Sequence, residues 1–381
     1  MVIPHDGLPL KPTPGSHGAP SGLLPPFAPL RDGYLPPPGD HRRHARAPAE
    51  TVGPRGSHAL GARPPPALIL GEDARALKAF DAAIFRGGAD SDLFYHRGLA
   101  KEGLGDYAGA LVDFRRAVAL KPEDGNAHRN IGYVLLQVDR SEEATVALEE
   151  AIRLDPADSK AWLNLGTAYA NVDEAVRKEL KELRPPPAGQ VPADDPQLRR
   201  QRELNDKLRE FDYRAHALAA YREAVRIEPG NAEYWYNLGT LLHEQRGDLA
   251  EAIDALARAA ALSAPDYRVL RNLANAQQDA RRFREALETT DKIAVTYGEQ
   301  DAWLLELRGS LQVELGDLPS AERSYLLAVE ADPDGAGPHV GLAILYKRQK
   351  LDVESATHLR TAQRLRPELA HYFEMVLQHE P

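Results

Sequence analysis

From Leu68 onward, small and apolar residues recur along the chain with a period of 34 residues. Gly98 and Gly132 are spaced by this period, as are Pro122 and Pro156. Between these markers, small and apolar residues lie three or four positions apart, which places them on one face of an α-helix. A helical pattern that repeats every 20–50 residues is typical of a solenoid, in which each unit buries its apolar face against its neighbours. The pattern therefore predicts an all-α solenoid of helix–turn–helix units.

The repeat divides the chain into about seven and a half units. A half unit at 70–90 is followed by units 91–124, 125–158, 159–231, 232–266, 267–301, 302–335 and 336–369. Within a unit numbered 1–34, positions 8 and 20 are small, position 24 is usually large and apolar, position 27 is usually alanine and position 32 is usually proline. Two helices that cross closely need small side chains at the contact and a large one beside it. The fixed positions predict such a crossing in each unit.

Unit 267–301 departs from this residue pattern at Thr290, Ile293 and Gly298, so we expect its second helix to pack loosely.

Unit 159–231 contains an insertion at 173–213. Apolar residues continue the first helix through Leu183, and a second apolar series from Leu204 to Leu218 predicts that the second helix also begins early. Asp195 followed by Pro196 is typical of a helix N-cap with proline at the first helical position. We therefore expect both helices to extend beyond the solenoid as an antiparallel pair. This projection is either a site for a partner or self-association, or an insertion tolerated at a surface turn.

The two ends of the chain differ from the repeats. Residues 1–66 hold 16 of the 30 prolines and show no helical period, which predicts a disordered tail. The alternative is a docking tail that uses the short motif at 23–27. Residues 370–381 are expected to form a helix that caps the last repeat, because an exposed terminal apolar face promotes aggregation.

Composition excludes several classes of function. The net charge of −10 is unfavourable for binding a phosphate backbone, so we expect no nucleic-acid partner. The chain has no cysteine, which removes disulfides, thiolate metal sites and cysteine nucleophiles.

Neither a secretory signal nor a membrane-spanning apolar stretch is found, and a cytoplasmic location is expected. Phosphate-binding loops, nucleophile elbows and metalloprotease motifs are absent too, and the 13 histidines are scattered. We expect neither catalysis nor a cofactor or metal.

The recurring residues resemble the tetratricopeptide repeat. Two stretches, Trp162–Gly166 and Trp235–Gly239, are close to the usual opening of that repeat, and the resemblance extends over about 300 residues. It implies a right-handed superhelix that binds polypeptides in the concave groove lined by the first helices.

The resemblance also implies which residues face the groove. Position 6 is asparagine in four consecutive units, at Asn130, Asn164, Asn237 and Asn272. This series is similar to the asparagine ladder in the repeat region of O-linked N-acetylglucosamine transferase, whose amides hold the backbone of an extended polypeptide; the catalytic region of that family is missing. We expect the four side chains to point into solvent in the unbound protein. Other inward positions are occupied by Tyr95, Arg129, Tyr133, Tyr236, Arg268, Arg271 and Asn275. The carboxylate clamp of chaperone-binding repeats is rejected, because only Arg271 and Asn275 begin its pattern.

Two functions remain in competition. The first is a non-catalytic scaffold that binds an extended polypeptide in the groove. The second is a structural or assembly subunit that oligomerises through the insertion 173–213 and the convex face. The identity of the partner and the oligomeric state are left open.

Overall fold

The computed structural model describes residues 66–183, 195–245, 247–299 and 301–371. Every regular element in this part of the chain is helical, which confirms the predicted all-α class. The predicted tail lies outside the described residues except for Pro66, and so does the predicted capping helix beyond residue 371.

The helices alternate in pairs that pack against each other. The first helix of each pair is α2 (Ser91–Gly103), α4 (Gly125–Gln137), α6 (Ser159–Glu182), α9 (Ala232–Glu244), α11 (Tyr267–Asp279), α13 (Ala302–Glu314) and α15 (Ala336–Arg348). The second helix is α3 (Tyr107–Leu120), α5 (Ser141–Leu154), α8 (Tyr213–Ile227), α10 (Leu249–Leu262), α12 (Phe283–Tyr297), α14 (Leu318–Ala331) and α16 (Asp352–Leu365). Helix α1 (Pro66–Phe85) precedes the first pair, α7 (Pro196–Glu210) lies in the insertion, and a 3₁₀ turn (Pro367–Leu369) follows the last.

An acidic or amide side chain begins almost every first helix. At the N-cap its oxygen accepts a hydrogen bond from a backbone N–H of the first turn, which would otherwise be unsatisfied. These N-caps are Asp90, Asp124, Asp158, Asn231, Asp266 and Asp301. Helix α15 follows Gly335 and has no side-chain cap. The predicted cap at Asp195 is confirmed, because its carboxylate accepts from the N–H groups of Gln197 and Leu198 at 2.8 and 3.1 Å.

The helices of a pair cross where position 8 meets position 24. A Cβ atom placed on Gly132 would lie 2.4 Å from Cγ of Leu148, and one on Gly166 would lie 2.5 Å from the ring of Tyr221. Position 20 is alanine and fully buried in six units, at Ala110, Ala144, Ala217, Ala252, Ala286 and Ala321. The close crossing predicted from the sequence is therefore confirmed.

Helix α12 packs against α11 less extensively than the second helix of any other described pair, as expected, but its core positions are filled. Thr290 and Ile293 are both fully buried, and Ile293 packs in a cluster with Leu270 and Leu304. The hydroxyl group of Thr289 donates a buried hydrogen bond of 2.8 Å to the side-chain oxygen of Gln277 on α11. The buried threonines of α12 are tolerated because each finds a hydrogen-bond partner, Thr289 in Gln277 and Thr290 in the carbonyl oxygen of Leu287.

The insertion differs from the prediction in its second half. Helix α6 continues to Glu182 as expected, but the second helix is interrupted: α7 ends at Glu210 and α8 begins at Tyr213. Phe211 is extended and its ring stacks on His216 at 4.1 Å, while Asp212 caps α8 by accepting from the N–H of Ala215. The continuous helix predicted through this segment is therefore wrong, because a local cap and an aromatic contact compete with helical continuation.

Helix α7 does not project freely from the solenoid. Leu204 is buried against Val172 and Val176 of the α6 extension. Arg200 pairs with Glu179 at 2.6 Å, and Lys207 reaches Glu142 at the start of α5. The α6 extension and α7 thus pack against each other as an antiparallel pair, and an ion pair joins α7 to unit 125–158.

Candidate peptide-binding groove

Several neighbouring first helices touch each other directly. Helix α4 contacts α6, α9 contacts α11, and α13 contacts α15, whereas successive second helices in the described part of the chain make no comparable contact. A stack that is more closely spaced in one layer than in the other bends toward the closer layer. The first helices therefore line the inner side of the curve, where the resemblance places the groove.

The four asparagines at position 6 lie on four of these inner helices. Asn130 is only 9% exposed, while Asn164, Asn237 and Asn272 are half-buried. At the same position of the next unit, Leu307 is 1% exposed. Position 6 therefore lies partly between neighbouring first helices, and the expectation that all four side chains point into solvent is wrong for Asn130.

Two of the asparagines are bound by a tyrosine of the preceding unit. The side-chain N–H of Asn130 donates to the hydroxyl oxygen of Tyr95 at 3.2 Å. Asn272 donates to the hydroxyl oxygen of Tyr236 at 3.3 Å and to that of Thr240 at 3.1 Å. In both cases the tyrosine occupies position 5 of the unit before. Burial raises the pKa of Tyr95 above its ordinary value, so its hydroxyl is neutral near pH 7 and can accept this bond.

The other two asparagines have no such neighbour. Position 5 of the preceding unit is Arg129 before Asn164 and Leu163 before Asn237. Arg129 turns away to pair with Asp158 at 2.6 Å, and leucine cannot accept a hydrogen bond. Among the contacts between described residues, neither Asn164 nor Asn237 makes a side-chain hydrogen bond. The series therefore contains two bound amides at its ends and two unbound amides in its middle.

The arginines predicted to face the groove have different partners. Arg129 is held by Asp158, which is also the N-cap of α6. Arg268 pairs with Asp266 at 2.9 Å and lies over the ring of Tyr236, and its hydrogen bond lowers the pKa of that carboxyl group. Arg271 lies 4.5 Å from the ring centre of Trp303 and has no carboxylate partner within the described ranges. Arg271 is therefore the predicted groove arginine best placed to meet a negatively charged group.

The remaining predicted positions lie on the same inner helices. Tyr133 on α4 is half-buried. Asn275 on α11 is half-buried as well, and its side-chain oxygen is inaccessible and lacks a hydrogen-bond partner in the described structure. Near α2, burial raises the pKa of Glu102 while Arg129 opposes the shift. The surface is thus mixed, with amide, phenol and guanidinium groups on neighbouring helices.

Sequence reasoning missed three residues that shape this surface. Thr240 accepts from Asn272, Asp158 holds Arg129, and Trp303 supports Arg271. The tyrosine–asparagine bonds could have been anticipated, because Tyr95 and Tyr236 each occupy position 5 in the unit before a position-6 asparagine. The contacts of Trp303 and Asp158 follow from packing between units, which the 34-residue pattern does not resolve.

The described residues offer neither a metal site nor a membrane span. No group of three or more histidine, aspartate or glutamate side chains is arranged to hold a metal ion. None of the helices in the described ranges combines the length and the apolar character needed to cross a membrane.

Comparison with known structures gives distant similarities. A tetratricopeptide repeat protein from Parabacteroides merdae is 13% identical, with coverage of 77% of this chain and 100% of its own and a TM-score of 0.46. PilF of Pseudomonas aeruginosa is 20% identical, with coverage of 67% and 99% and a TM-score of 0.42. YrrB, described as a protein with an unusual peptide-binding site, is 18% identical, with coverage of 69% and 97% and a TM-score of 0.35. Similarity at these levels carries no information about function.

Family models give the clearer result. No curated protein sequence matches the chain. Three models, each described as tetratricopeptide repeat, match residues 220–254, residues 103–169, and residues 67–125 with 271–336. Together they span more than half of the chain and both sides of the insertion. With the helix pairs and the buried crossing positions, they show that the chain is a tetratricopeptide repeat protein.

Proposed function

We propose that this protein is a non-catalytic scaffold that binds an extended polypeptide along its first helices. The observation that carries the proposal is the row of carboxamides at position 6 of four consecutive units, at Asn130, Asn164, Asn237 and Asn272. A carboxamide offers both a donor and an acceptor. It can therefore meet the N–H and C=O groups of a peptide backbone without selecting a side chain.

The flanking groups supply selectivity. Tyr133 and Tyr236 offer aromatic faces, and Arg271 offers a guanidinium group supported by Trp303. An extended segment with apolar or aromatic residues and at least one acidic group fits this surface. Arg129, Arg268, Tyr95 and Asn275 complete the proposed contact surface as groups that shape it, since the first three are engaged within the array.

The proposal is tested with a defined peptide. A random 12-residue peptide library displayed on phage is selected against the full-length chain, and the Kd of one synthetic selected peptide is measured by fluorescence anisotropy. Each neutral hydrogen bond contributes about 0.5–1.5 kcal/mol, so replacing all four asparagines by alanine should weaken binding at least tenfold, which corresponds to about 1.4 kcal/mol.

The matched control is Asn205→Ala, which removes an exposed amide on α7 and should leave the Kd unchanged. Circular dichroism verifies that the quadruple variant is folded. If that folded variant binds as tightly as the parent protein, the peptide does not use the asparagines and the proposal is wrong.

A second function is favoured by one feature of the insertion. Helix α7 is held on the α6 extension by Leu204 and Arg200 and is joined to α5 by Lys207. It therefore presents a defined outer face on which Arg199 and Arg202 are exposed. The alternative proposal is a structural subunit that assembles through this face. A stable oligomer in light scattering that becomes a monomer when 172–210 are deleted would favour assembly. A monomer in both cases would favour the groove.

A further inference from the structure

The four position-6 asparagines fall into two classes by their hydrogen bonds. Asn130 and Asn272 donate to Tyr95 and Tyr236 across the junction between two units. Asn164 and Asn237 have no hydrogen-bond partner among the described residues. The difference follows from position 5 of the preceding unit, where only a tyrosine provides an acceptor within reach.

The bound amides have less to gain from a peptide. Asn130 donates one of its two amide N–H groups to Tyr95, which fixes the orientation of its side chain. Asn272 has both N–H groups engaged, with Tyr236 and Thr240, and must give up one of these bonds to donate to a peptide carbonyl group. Asn130 is also only 9% exposed, which limits its access to any ligand.

The unbound amides are in the opposite situation. Asn164 and Asn237 are half-buried and already partly withdrawn from water, and a peptide backbone would supply the partner that the protein does not. They lie on α6 and α9, the first helices of two consecutive units, on the inner side of the curve.

We propose that Asn164 and Asn237 are the asparagines that hold the peptide backbone, and that Asn130 and Asn272 join neighbouring units instead. This inference rests on the proposed function and deepens it, because it limits the contacts with the peptide backbone to helices α6 and α9. Side chains of α6 and α9 meet, as Ser159 and Tyr234 do at 3.1 Å, and helices in contact lie on the order of 10 Å apart. An extended chain rises about 3.3 Å per residue. The two contacts therefore fall about three residues apart in the bound peptide.

The test separates binding from stability in two double variants. The probe is the synthetic peptide selected from the random 12-residue library, and the protein is the full-length chain. N164A/N237A should weaken binding at least tenfold and leave Tm within about 1 °C, because no hydrogen bond within the array is lost. N130A/N272A should change Kd less than twofold and lower Tm by several degrees, because both junction bonds are lost.

Methylation of the peptide backbone gives a second readout. Each amide nitrogen of the selected peptide is methylated in turn, which removes one N–H donor. Two sensitive positions about three residues apart are expected, and both should lose their sensitivity in N164A/N237A.

The outcomes distinguish the inference from the proposed function. If N130A/N272A weakens binding as much as N164A/N237A, the two classes do not differ and the inference is wrong, while groove binding stands. If neither double variant nor the quadruple variant changes the Kd, the peptide binds elsewhere and the proposed function fails with it.

Discussion

The hydroxyl oxygens of Thr167 and Tyr221 lie 3.1 Å apart, although 54 positions of the chain separate the two residues. The insertion lies between them, yet Gly166 meets the ring of Tyr221 in the way that Gly132 meets Leu148 in the uninterrupted unit before. The interrupted unit therefore closes around the same crossing as its neighbours.

This closure predicts that the insertion can be removed. Deleting 172–210 joins Asn171 to Phe211, keeps the cap at Asp212 and restores a 34-residue unit. We expect a cooperative helical melt with a midpoint within a few degrees of the parent, because repeat arrays depend on contacts between neighbours. Circular dichroism measures the melt, and an insoluble or non-cooperative variant would contradict the prediction.

A longer replacement provides the matched comparison. Exchanging 173–213 for a two-residue turn also removes the rings of Phe211 and Tyr213, which lie 5.5 and 6.4 Å from the ring of Tyr169. This variant should fold but melt at a lower temperature than the shorter deletion. Equal midpoints would mean that the aromatic contact adds nothing to stability.

Gly166→Ala tests the helix crossing. The new Cβ atom would lie 2.5 Å from the ring of Tyr221, so the helices must separate, and overpacking of this kind typically costs about 1–3 kcal/mol. The control is Gly230→Ala, because a Cβ atom there meets nothing within 4 Å. Urea denaturation should show a loss for the first variant and almost none for the second.

Lys350→Gly should stabilise the protein. Position 15 of a unit lies in the turn between its two helices and has positive φ in several units, with φ of 81° at Gly316 and 62° at Lys350. A residue with a side chain is strained there by about 1–2 kcal/mol, and glycine removes this strain. Part of the gain in folding stability is lost again, because glycine gives the unfolded chain more conformational entropy. We expect a net gain of about 0.5–1 kcal/mol in urea denaturation. Gly316→Ala is the reverse experiment, and a gain in stability from it would contradict the strain.

Acidification should destabilise the last helix pair. The Nδ1 atoms of His339 and His358 lie 3.0 Å apart between α15 and α16. Burial lowers the pKa of both imidazoles, and His358 and Arg364 lower that of His339 further. A base with a lowered pKa binds fewer protons in the folded than in the unfolded state, so its stability contribution is complete above about pH 6.5 and declines as the pH falls below that value.

The measurement compares Tm at pH 7.5 and pH 5.5. The variant H339N/H358N should lose part of the decrease in Tm seen in the parent, whereas His128→Asn, at an exposed hydrogen bond, should keep it. Glu322 and Glu354 act on Tyr346, whose ring lies 5.6 Å from that of His358; both are present in all three proteins and cancel in the comparison. An unchanged pH dependence in the double variant would contradict the prediction.

The repeat and its crossing could be predicted because they depend on residues that recur in register. Gly132 must be small because Leu148 packs against it at the helix crossing. The same contact occurs in most units, so the small and large residues recur along the sequence. The break at Phe211 and Asp212 could not be found in this way, because it depends on one cap and one ring contact that occur once. The burial of Thr290 was missed for a related reason, since its hydroxyl group is satisfied by one local hydrogen bond that apolar periodicity does not report.

The candidate site was predicted only in outline. Position 6 could be identified from the recurrence of asparagine, but the state of each amide depends on the residue at position 5 of the preceding unit. Tyr95 binds Asn130, whereas Arg129 leaves Asn164 unbound because Asp158 attracts the guanidinium group. Which partner each side chain takes depends on the distances between neighbouring units, and the sequence pattern does not give these distances.

Photo-crosslinking tests the binding surface most directly. The selected 12-residue peptide is synthesised with a diazirine-bearing leucine at each position in turn, irradiated with the full-length protein, and the labelled residues are identified by mass spectrometry. Binding along the first helices predicts labels on α4, α6, α9 and α11, centred on 159–171 and 232–244, and their loss when unlabelled peptide is added in excess. Labels concentrated on α7 or on the second helices would contradict a peptide-binding groove.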